Sequence, residues 1–115
     1  MKLPWIQVES KDQLIENLAK KQLVYKLFFK HSTRCIISSM ALKMFEREWH
    51  TDNITVELFF IDLIQFRSVS DELSHLSGVE HQSPQVIVFE NNHVIYHASH
   101  NNINADQILK LIKDV

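Results

Sequence analysis

Two short apolar runs constrain the fold of this 115-residue chain more than any other feature. The segments "QLVYKLFF" (22–29) and "TVELFFID" (55–62) are rich in β-branched and aromatic residues and are almost continuously apolar. Such runs are typical of strands that are buried on both faces. A sheet built on them needs helices on both sides, so the segments around these runs must supply helices.

Helix signals flank both strands. Ser10 is followed three residues later by Gln13, and Asn104 by Gln107, which are capping-box patterns at the start of a first and a last helix. The apolar positions expected to face the core in these two helices are Leu14, Ile15, Leu18, Ile108, Leu111 and Ile112.

Two further helices and a hairpin complete the predicted elements. One helix runs from about Ile36 to Trp49, and a short one with serine caps covers residues 68–76 and stops at Gly78. The segment 85–98 reads as a hairpin whose turn is Asn91–Asn92, because asparagine tolerates the positive φ of such turns. Residues 5–8 can add a short strand.

The order of these elements predicts one α/β domain over residues 1–115. We expect a central mixed sheet of four or five strands, flanked by about four helices. This length can bury a hydrophobic core without disulfides or metal.

Composition excludes several classes of function. The net charge of -2 argues against nucleic-acid binding, and the single glycine leaves no phosphate-binding glycine loop. The N-terminus lacks a signal-peptide pattern, and no run reaches the ~18 apolar residues of a membrane helix, so we expect a cytoplasmic protein. The histidines and carboxylates do not have a ligand spacing that predicts a metal site.

The stretch "FFKHSTRCIISSMALKMF" contains the only cysteine, Cys35, which is either a small core residue or a reactive thiol. Helix geometry predicts that Cys35 and Ser39 lie away from the core, because another face collects an apolar stripe. The members of that stripe are Ile37, Met40, Ala41, Met44 and Phe45.

The surroundings of Cys35 favour the nucleophilic thiolate. A helix N-terminus offers unpaired N–H groups and partial positive charge, and Arg34 adds a full charge. The hydroxyls of Thr33 and Ser38 can donate hydrogen bonds to sulfur. Because serine follows in the C-x-x-S pattern, a mixed disulfide on Cys35 would persist until an external thiol released it.

Three other residues lie near strand ends. Pro84 precedes the predicted hairpin strand, where a cis Ser83–Pro84 bond or an ordinary trans proline would both fit. His81 is close enough in sequence to approach the same site. Asp62 ends a buried strand, where it either relays protons or caps the following segment.

These features together resemble the thioredoxin fold, and "FKHSTRCIIS" resembles the monothiol bacilliredoxins, whose pattern is close to H-S-T-R-C-P-I-S. The resemblance implies removal of bacillithiol, a low-molecular-weight thiol, from S-thiolated proteins through Cys35. Bacillithiol or a similar low-molecular-weight thiol would act as co-substrate. The resemblance further implies a monomer that binds no cofactor. Ser83, Pro84 and His31 would lie on the substrate side.

One residue departs from the family pattern: Ile36 stands where the family has proline. This departure affects the reduction potential that the resemblance implies more than it affects the role of Cys35. Two alternatives also stay open, namely an iron–sulfur protein that shares a cluster between two chains and a thioredoxin-like adaptor or redox sensor without turnover. Bulky Ile36 beside the sulfur would crowd a cluster.

Overall fold

A computed structural model describes residues 1–20, 25–50 and 56–112 of the chain. These residues form five strands, four α-helices and a 3-10 turn at His100–Asn102. The strands are β1 (Ile6–Gln7), β2 (Tyr25–His31), β3 (Val56–Asp62), β4 (Gln85–Glu90) and β5 (His93–Ser99). The helices are α1 (Lys11–Ala19), α2 (Ile36–Glu48), α3 (Arg67–Ser77) and α4 (Ala105–Ile112).

The strands form one mixed sheet in the order β1-β3-β2-β4-β5. β3 is parallel to β1 and β2, whereas β4 is antiparallel to both β2 and β5. His31 pairs with Asp62, and Lys30 pairs with Gln85, so the end of β2 lies beside the end of β3 and the beginning of β4. The five-stranded sheet flanked by four helices confirms the predicted fold class.

Each face of the sheet carries its own hydrophobic core. Phe29 packs with α2 and α4, and Phe28 on the opposite face packs with α1 and α3. The alternation follows from the period of a strand, whose successive side chains point to opposite faces. Every residue of β2 is buried, as the continuous apolar run predicts, although two of these residues are lysines.

Turns and caps confirm much of the local chemistry. The Ser10 hydroxyl accepts from Gln13 N at 3.1 Å, and Asn104 Oδ1 accepts from Gln107 N at 3.0 Å. Gly78 ends α3 with φ +72°, where the missing Cβ removes the cost of a left-handed backbone. The hairpin turns at Asn91 with φ +56°.

Other expectations are wrong or lie outside the described residues. α3 begins after Phe66 without a side-chain cap, so the predicted serine cap at its start is incorrect. Ile15 and Leu111 are about half exposed and do not face the core. Residues 22–24, Thr55 and residues 113–115 of the predicted elements lie outside the described ranges.

The core face of α2 differs from the predicted stripe. Ile37, Met40 and Met44 are each more than half exposed. The buried positions are Ser38, Leu42, Phe45 and, at the C-cap, Trp49. These positions also follow the helical period, and the two aromatic rings stack at a centroid distance of 5.2 Å. Packing of the two rings is therefore consistent with this helix phase, which leaves Ile37, Met40 and Met44 outside.

This assignment predicts opposite effects for two truncations on α2. Leu42→Ala should destabilise the protein by about 2–5 kcal/mol, because it opens a cavity in the core. Met40→Ala removes a similar volume from the surface and should change stability by about 0.5 kcal/mol or less. Urea unfolding of both variants measures the difference. Equal losses, or a larger loss for Met40→Ala, would contradict the observed helix phase.

Candidate active site

Cys35 is the N-cap residue of α2. Its backbone is extended, with φ -115° and ψ 120°, and its carbonyl accepts the first helical hydrogen bond from Ser39 N at 3.0 Å. Its own N–H donates to Ser32 O at 3.2 Å, which closes the turn between β2 and α2. The thiol is partly exposed. The sequence thus places the only cysteine at the exit of the central strand, where solvent can reach the sulfur.

A buried hydrogen-bond network holds this turn in place. His31 Nδ1 lies 2.7 Å from Ser38 Oγ, and the same oxygen accepts from Ser32 N at 3.0 Å. Burial lowers the pKa of His31, and the Asp62 carboxylate opposes this shift. The neutral imidazole can therefore accept the Ser38 proton at Nδ1. Three elements meet at one hydroxyl: the strand end, the turn and the first turn of the helix.

The start of α2 carries a cationic side chain and no acidic one. The first turn of α2 contains no acidic residue, and Arg34 immediately precedes the cysteine. The N–H groups at the start of a helix have no intrahelical acceptor and carry the positive end of the dipole. Across the described ranges, no hydrogen bond reaches Cys35 Sγ, so the predicted donation from Thr33 and Ser38 is absent from this conformation.

A shallow groove of about 270 Å³ runs from Cys35 along the outer side of α2. We call it the α2 groove. Its polar side is formed by Cys35, Ser39 and Lys43, which follow one another at single-turn spacing. Thr33, Arg34, Ile36 and Met40 complete the lining. The prediction placed Ser39 beside Cys35 but missed Lys43, although its spacing of eight residues from Cys35 was a usable signal.

Ser83 and Pro84 lie at the same edge of the sheet. Their peptide bond is cis, and the Pro84 carbonyl accepts from His100 N at 3.0 Å. Lys30 pairs with Gln85, so the register brings Pro84 beside the end of β2. Ser83 Oγ is buried and has no partner among the described residues, and the Ser83 backbone makes none of the hydrogen bonds found there.

Asp62 caps the segment that follows β3. Its Oδ1 accepts from Ile64 N at 3.0 Å and from Gln65 N at 3.3 Å. Of the two interpretations of this carboxylate, the strand-end cap is therefore the one that its hydrogen bonds satisfy.

His81 contacts Lys30 on the α3 side of the sheet. Lys30 Nζ donates to Ser74 Oγ at 2.7 Å and lies 3.3 Å from His81 Nδ1, which is also 3.2 Å from Ser70 Oγ. Burial lowers the pKa of Lys30 to about 8. An ammonium group has only donors, so Nδ1 of His81 is the acceptor in this pair. Among the described residues, the side-chain hydrogen bonds of His81 are thus with α3 and β2, and none reaches the cysteine turn.

The sequence matches a family model described as Monothiol bacilliredoxin BrxC over residues 6–108. The match covers Cys35, its turn and Ser83–Pro84. This chain belongs to the monothiol bacilliredoxin family. The family and the fold support a thiol oxidoreductase type of function.

Solved structures agree with this family assignment at the level of the fold. A thioredoxin-fold protein provisionally described as an oxidoreductase is 26% identical, with a TM-score of 0.73 and coverage of 91% of this chain and 90% of that one. Thioredoxin from Malassezia sympodialis is 16% identical, with a TM-score of 0.71 and coverage of 99% and 95%. Thioredoxin f2 from Chlamydomonas reinhardtii is 12% identical, with a TM-score of 0.68 and coverage of 96% and 94%.

Two searches of the described ranges bear on other classes of function. No helix there is both long and apolar enough to cross a membrane. Within the same ranges, no three histidine, cysteine or acidic side chains gather as a metal site would require.

Ile36, where this bacilliredoxin departs from the family pattern, is the first residue of α2 and is 78% exposed. Its N–H makes no hydrogen bond among the described residues. A proline is tolerated at such a position, since the missing donor had no helical partner. The extended backbone of Cys35 also suits the residue before a proline.

We therefore expect Ile36→Pro to stabilise the protein by about 0.4–1 kcal/mol, because it restricts the unfolded chain without breaking a native hydrogen bond. The matched control is Ile37→Pro, one residue further into the helix. There Ile36 would precede proline while holding a helical backbone, which is disfavoured, so this variant should be destabilised. Thermal or urea unfolding of both variants tests the expectation, and a destabilised Ile36→Pro would contradict it.

His31, which is buried, and His81, which is partly buried, predict a dependence of stability on pH. Burial lowers the pKa of His81 as well as that of His31 below the ordinary 6.5, and Lys30 adds to the shift of His81. The unfolded chain then binds more protons than the folded chain at mildly acidic pH. The free energy of unfolding should therefore be retained above pH ~6.5 and decrease as the pH falls below it.

Urea unfolding measures this loss at pH 7.5 and pH 5.5, each about one unit from the ordinary histidine pKa of 6.5. His31→Asn should lose less stability between the two pH values than the unaltered protein does. His93→Asn, at an exposed position of β5, is the control and should lose as much as the unaltered protein. An unchanged pH dependence in His31→Asn would refute the role of the buried imidazole.

Proposed function

We propose that this chain is a monothiol oxidoreductase that removes bacillithiol, or a similar low-molecular-weight thiol, from protein mixed disulfides. The observation that carries the proposal is the position of the only thiol. Cys35 is a partly exposed N-cap residue, beside a cation and at the mouth of a groove. A structural cysteine would instead occupy the buried face of α2, where Leu42 and Phe45 lie.

The reaction begins with attack of the Cys35 thiolate on the bacillithiol sulfur of the mixed disulfide. A bond forms between these two sulfurs, the bond between bacillithiol and the substrate protein breaks, and the protein thiolate leaves and takes up a proton. Arg34 and the N–H groups at the start of α2 stabilise the attacking thiolate. Ser83, whose backbone makes no hydrogen bond among the described residues, lies beside Pro84 at the same sheet edge and would bind an extended segment.

A second thiol must release the adduct. This chain contains one cysteine, and the third residue after it is Ser38, whose hydroxyl is engaged with His31. Free bacillithiol therefore attacks the bacillithiol sulfur of the adduct, forms bacillithiol disulfide and frees the Cys35 thiolate. In the net reaction, the mixed disulfide of the substrate protein is reduced by two electrons. These electrons come from two bacillithiol molecules, the one removed from the substrate and the free one, which together become bacillithiol disulfide. The proposed cycle runs in the cytoplasm on one copy of the chain and needs no metal or resident cofactor.

Intact mass spectrometry tests the first step directly. The reduced protein is mixed with a bacillithiolated model protein and, in parallel, with a glutathionylated one. We expect a bacillithiol adduct on Cys35 that forms faster than the glutathione adduct, together with release of the free model protein. Cys35→Ser should form neither adduct, since serine is well suited to the N-cap position but cannot form a disulfide.

Two outcomes would contradict the proposal. Absence of an adduct from either donor, in folded protein, would leave Cys35 without the proposed chemistry and favour the adaptor interpretation. Visible absorbance after anaerobic purification, with loss of that absorbance in Cys35→Ser, would favour the iron–sulfur interpretation instead.

A further inference from the structure

The α2 groove has a chemical character that the reaction at Cys35 does not by itself require. Arg34 and Lys43 bring two positive charges to it, and none of the described residues that line it is acidic. Ser39 lies between Cys35 and Lys43 on the same side of the helix. Ile36 and Met40 form the adjoining apolar strip and are 78% and 60% exposed.

The direction of helical side chains brings these charges toward the sulfur. Lys43 follows Cys35 by eight residues, which is about 12 Å along the axis at a rise of ~1.5 Å per residue. Side chains on a helix lean toward its N-terminus, so the long lysine arm extends back toward Ser39 and Cys35. Arg34 lies at the other end of the groove. A ligand bound through sulfur at Cys35 thus has cations on two sides.

The apolar strip adds a second constraint on the ligand. Exposed isoleucine and methionine side chains favour contact with carbon atoms, and methionine adapts its shape to irregular partners. The ligand should therefore carry a short carbon skeleton between its sulfur and its charged group. Ser39 supplies a hydroxyl, which can donate to or accept from a polar group along this skeleton.

We propose that the α2 groove binds the low-molecular-weight half of the mixed disulfide, and that this thiol is an anion whose carboxylate groups contact Lys43 and Arg34. The inference rests on the proposed function, because it characterises the thiol that Cys35 accepts. Lys43 is a specificity-determining residue in this arrangement. It binds the ligand away from the reacting sulfur, and Ile36 and Met40 cover the carbon chain.

Two mixed disulfides with 2-thiopyridine provide the test, one of mercaptosuccinate and one of 2-mercaptoethanol. The Cys35 thiolate attacks the sulfur of the probe thiol, and the bond between this sulfur and the sulfur of 2-thiopyridine breaks. The pyridine-2-thiolate that leaves takes up a proton and becomes the thione. The absorbance of the thione gives the rate, and intact mass identifies the adduct. The first probe carries two carboxylates, whereas the second is neutral.

The readout is the ratio of the two rates, compared among variants so that the intrinsic reactivities of the probes cancel. Lys43→Gln should lower the anionic-to-neutral ratio by about two- to five-fold, the range expected for loss of one exposed ion pair. Lys43→Glu should lower it further. The effect should decrease at high salt, because exposed charges are screened.

Arg47→Gln is the matched control. Arg47 is exposed on the same helix one turn beyond Lys43, and it does not line the groove. Its replacement removes the same charge and should leave the ratio unchanged. An equal decrease in both variants would show a general effect of protein charge and refute anion binding in the α2 groove. A ratio that no Lys43 substitution alters would refute it as well.

A binding measurement separates this inference from the proposed reaction. Cys35→Ser is titrated with (methylthio)succinate, which has the same carboxylates but cannot exchange disulfides, and backbone amide shifts are followed by NMR. We expect shifts at Ser39 and Lys43 that Lys43→Gln reduces and Arg47→Gln does not. If the NMR shifts occur but the unaltered protein forms no adduct on Cys35, the proposed reaction is refuted and the anion site is retained. If the adduct forms but there is neither charge selectivity nor a shift, the anion site alone is refuted.

Discussion

The contact between His31 and Ser38 is the interaction on which the candidate site depends most. It joins the last residue of the central strand to the first turn of α2, and the same hydroxyl binds the N–H of Ser32. The intervening turn is thereby held at both ends. Because Ser38 must face inward, the phase of the helix is fixed, and Cys35 and Lys43 fall on the outer side. A short polar contact thus decides what the helix exposes.

The end of β2 has buried polar groups on both faces of the sheet. His31 points toward α2, and Lys30 points toward α3, where Ser74 and His81 bind its ammonium group. A buried amine is costly unless it is hydrogen-bonded, so these partners are needed to keep Lys30 inside. Lys26 is buried in the same way and donates to the carbonyls of Leu18 and Lys20. The central strand can therefore be completely buried without being completely apolar.

Much of the fold could be predicted because its elements carry local signals. The buried strands appear as short apolar runs, and Ser10, Gly78 and Asn91 mark a cap, a helix end and a hairpin by their own backbone preferences. Each signal depends on a few neighbouring residues and needs no knowledge of the tertiary structure.

The face of α2 could not be predicted in the same way, because two stripes on this helix are compatible with a core. The stripe with Met40 contains more apolar residues, whereas the buried stripe begins with Ser38. A count of hydrophobic residues favours the first stripe, and burial of Ser38 is favourable only through its partners His31 and Ser32. Lys43 was missed for a related reason. An exposed lysine can be recognised as a candidate binding residue only when the groove beside it is known. Local patterns therefore located the cysteine, and tertiary contacts determine its surroundings.

In the proposed reaction, the exposed apolar strip and the cations of the α2 groove would address a problem specific to an enzyme with a single thiol. A mixed disulfide has two sulfurs, and attack on the wrong one would join Cys35 to the substrate protein. No second cysteine exists in this chain to release that complex. A groove that bound the small anionic half would place the correct sulfur against Cys35 and direct the protein half toward the Ser83 side. Recognition of the small thiol would then determine which sulfur becomes bonded to Cys35, as well as which substrates are accepted.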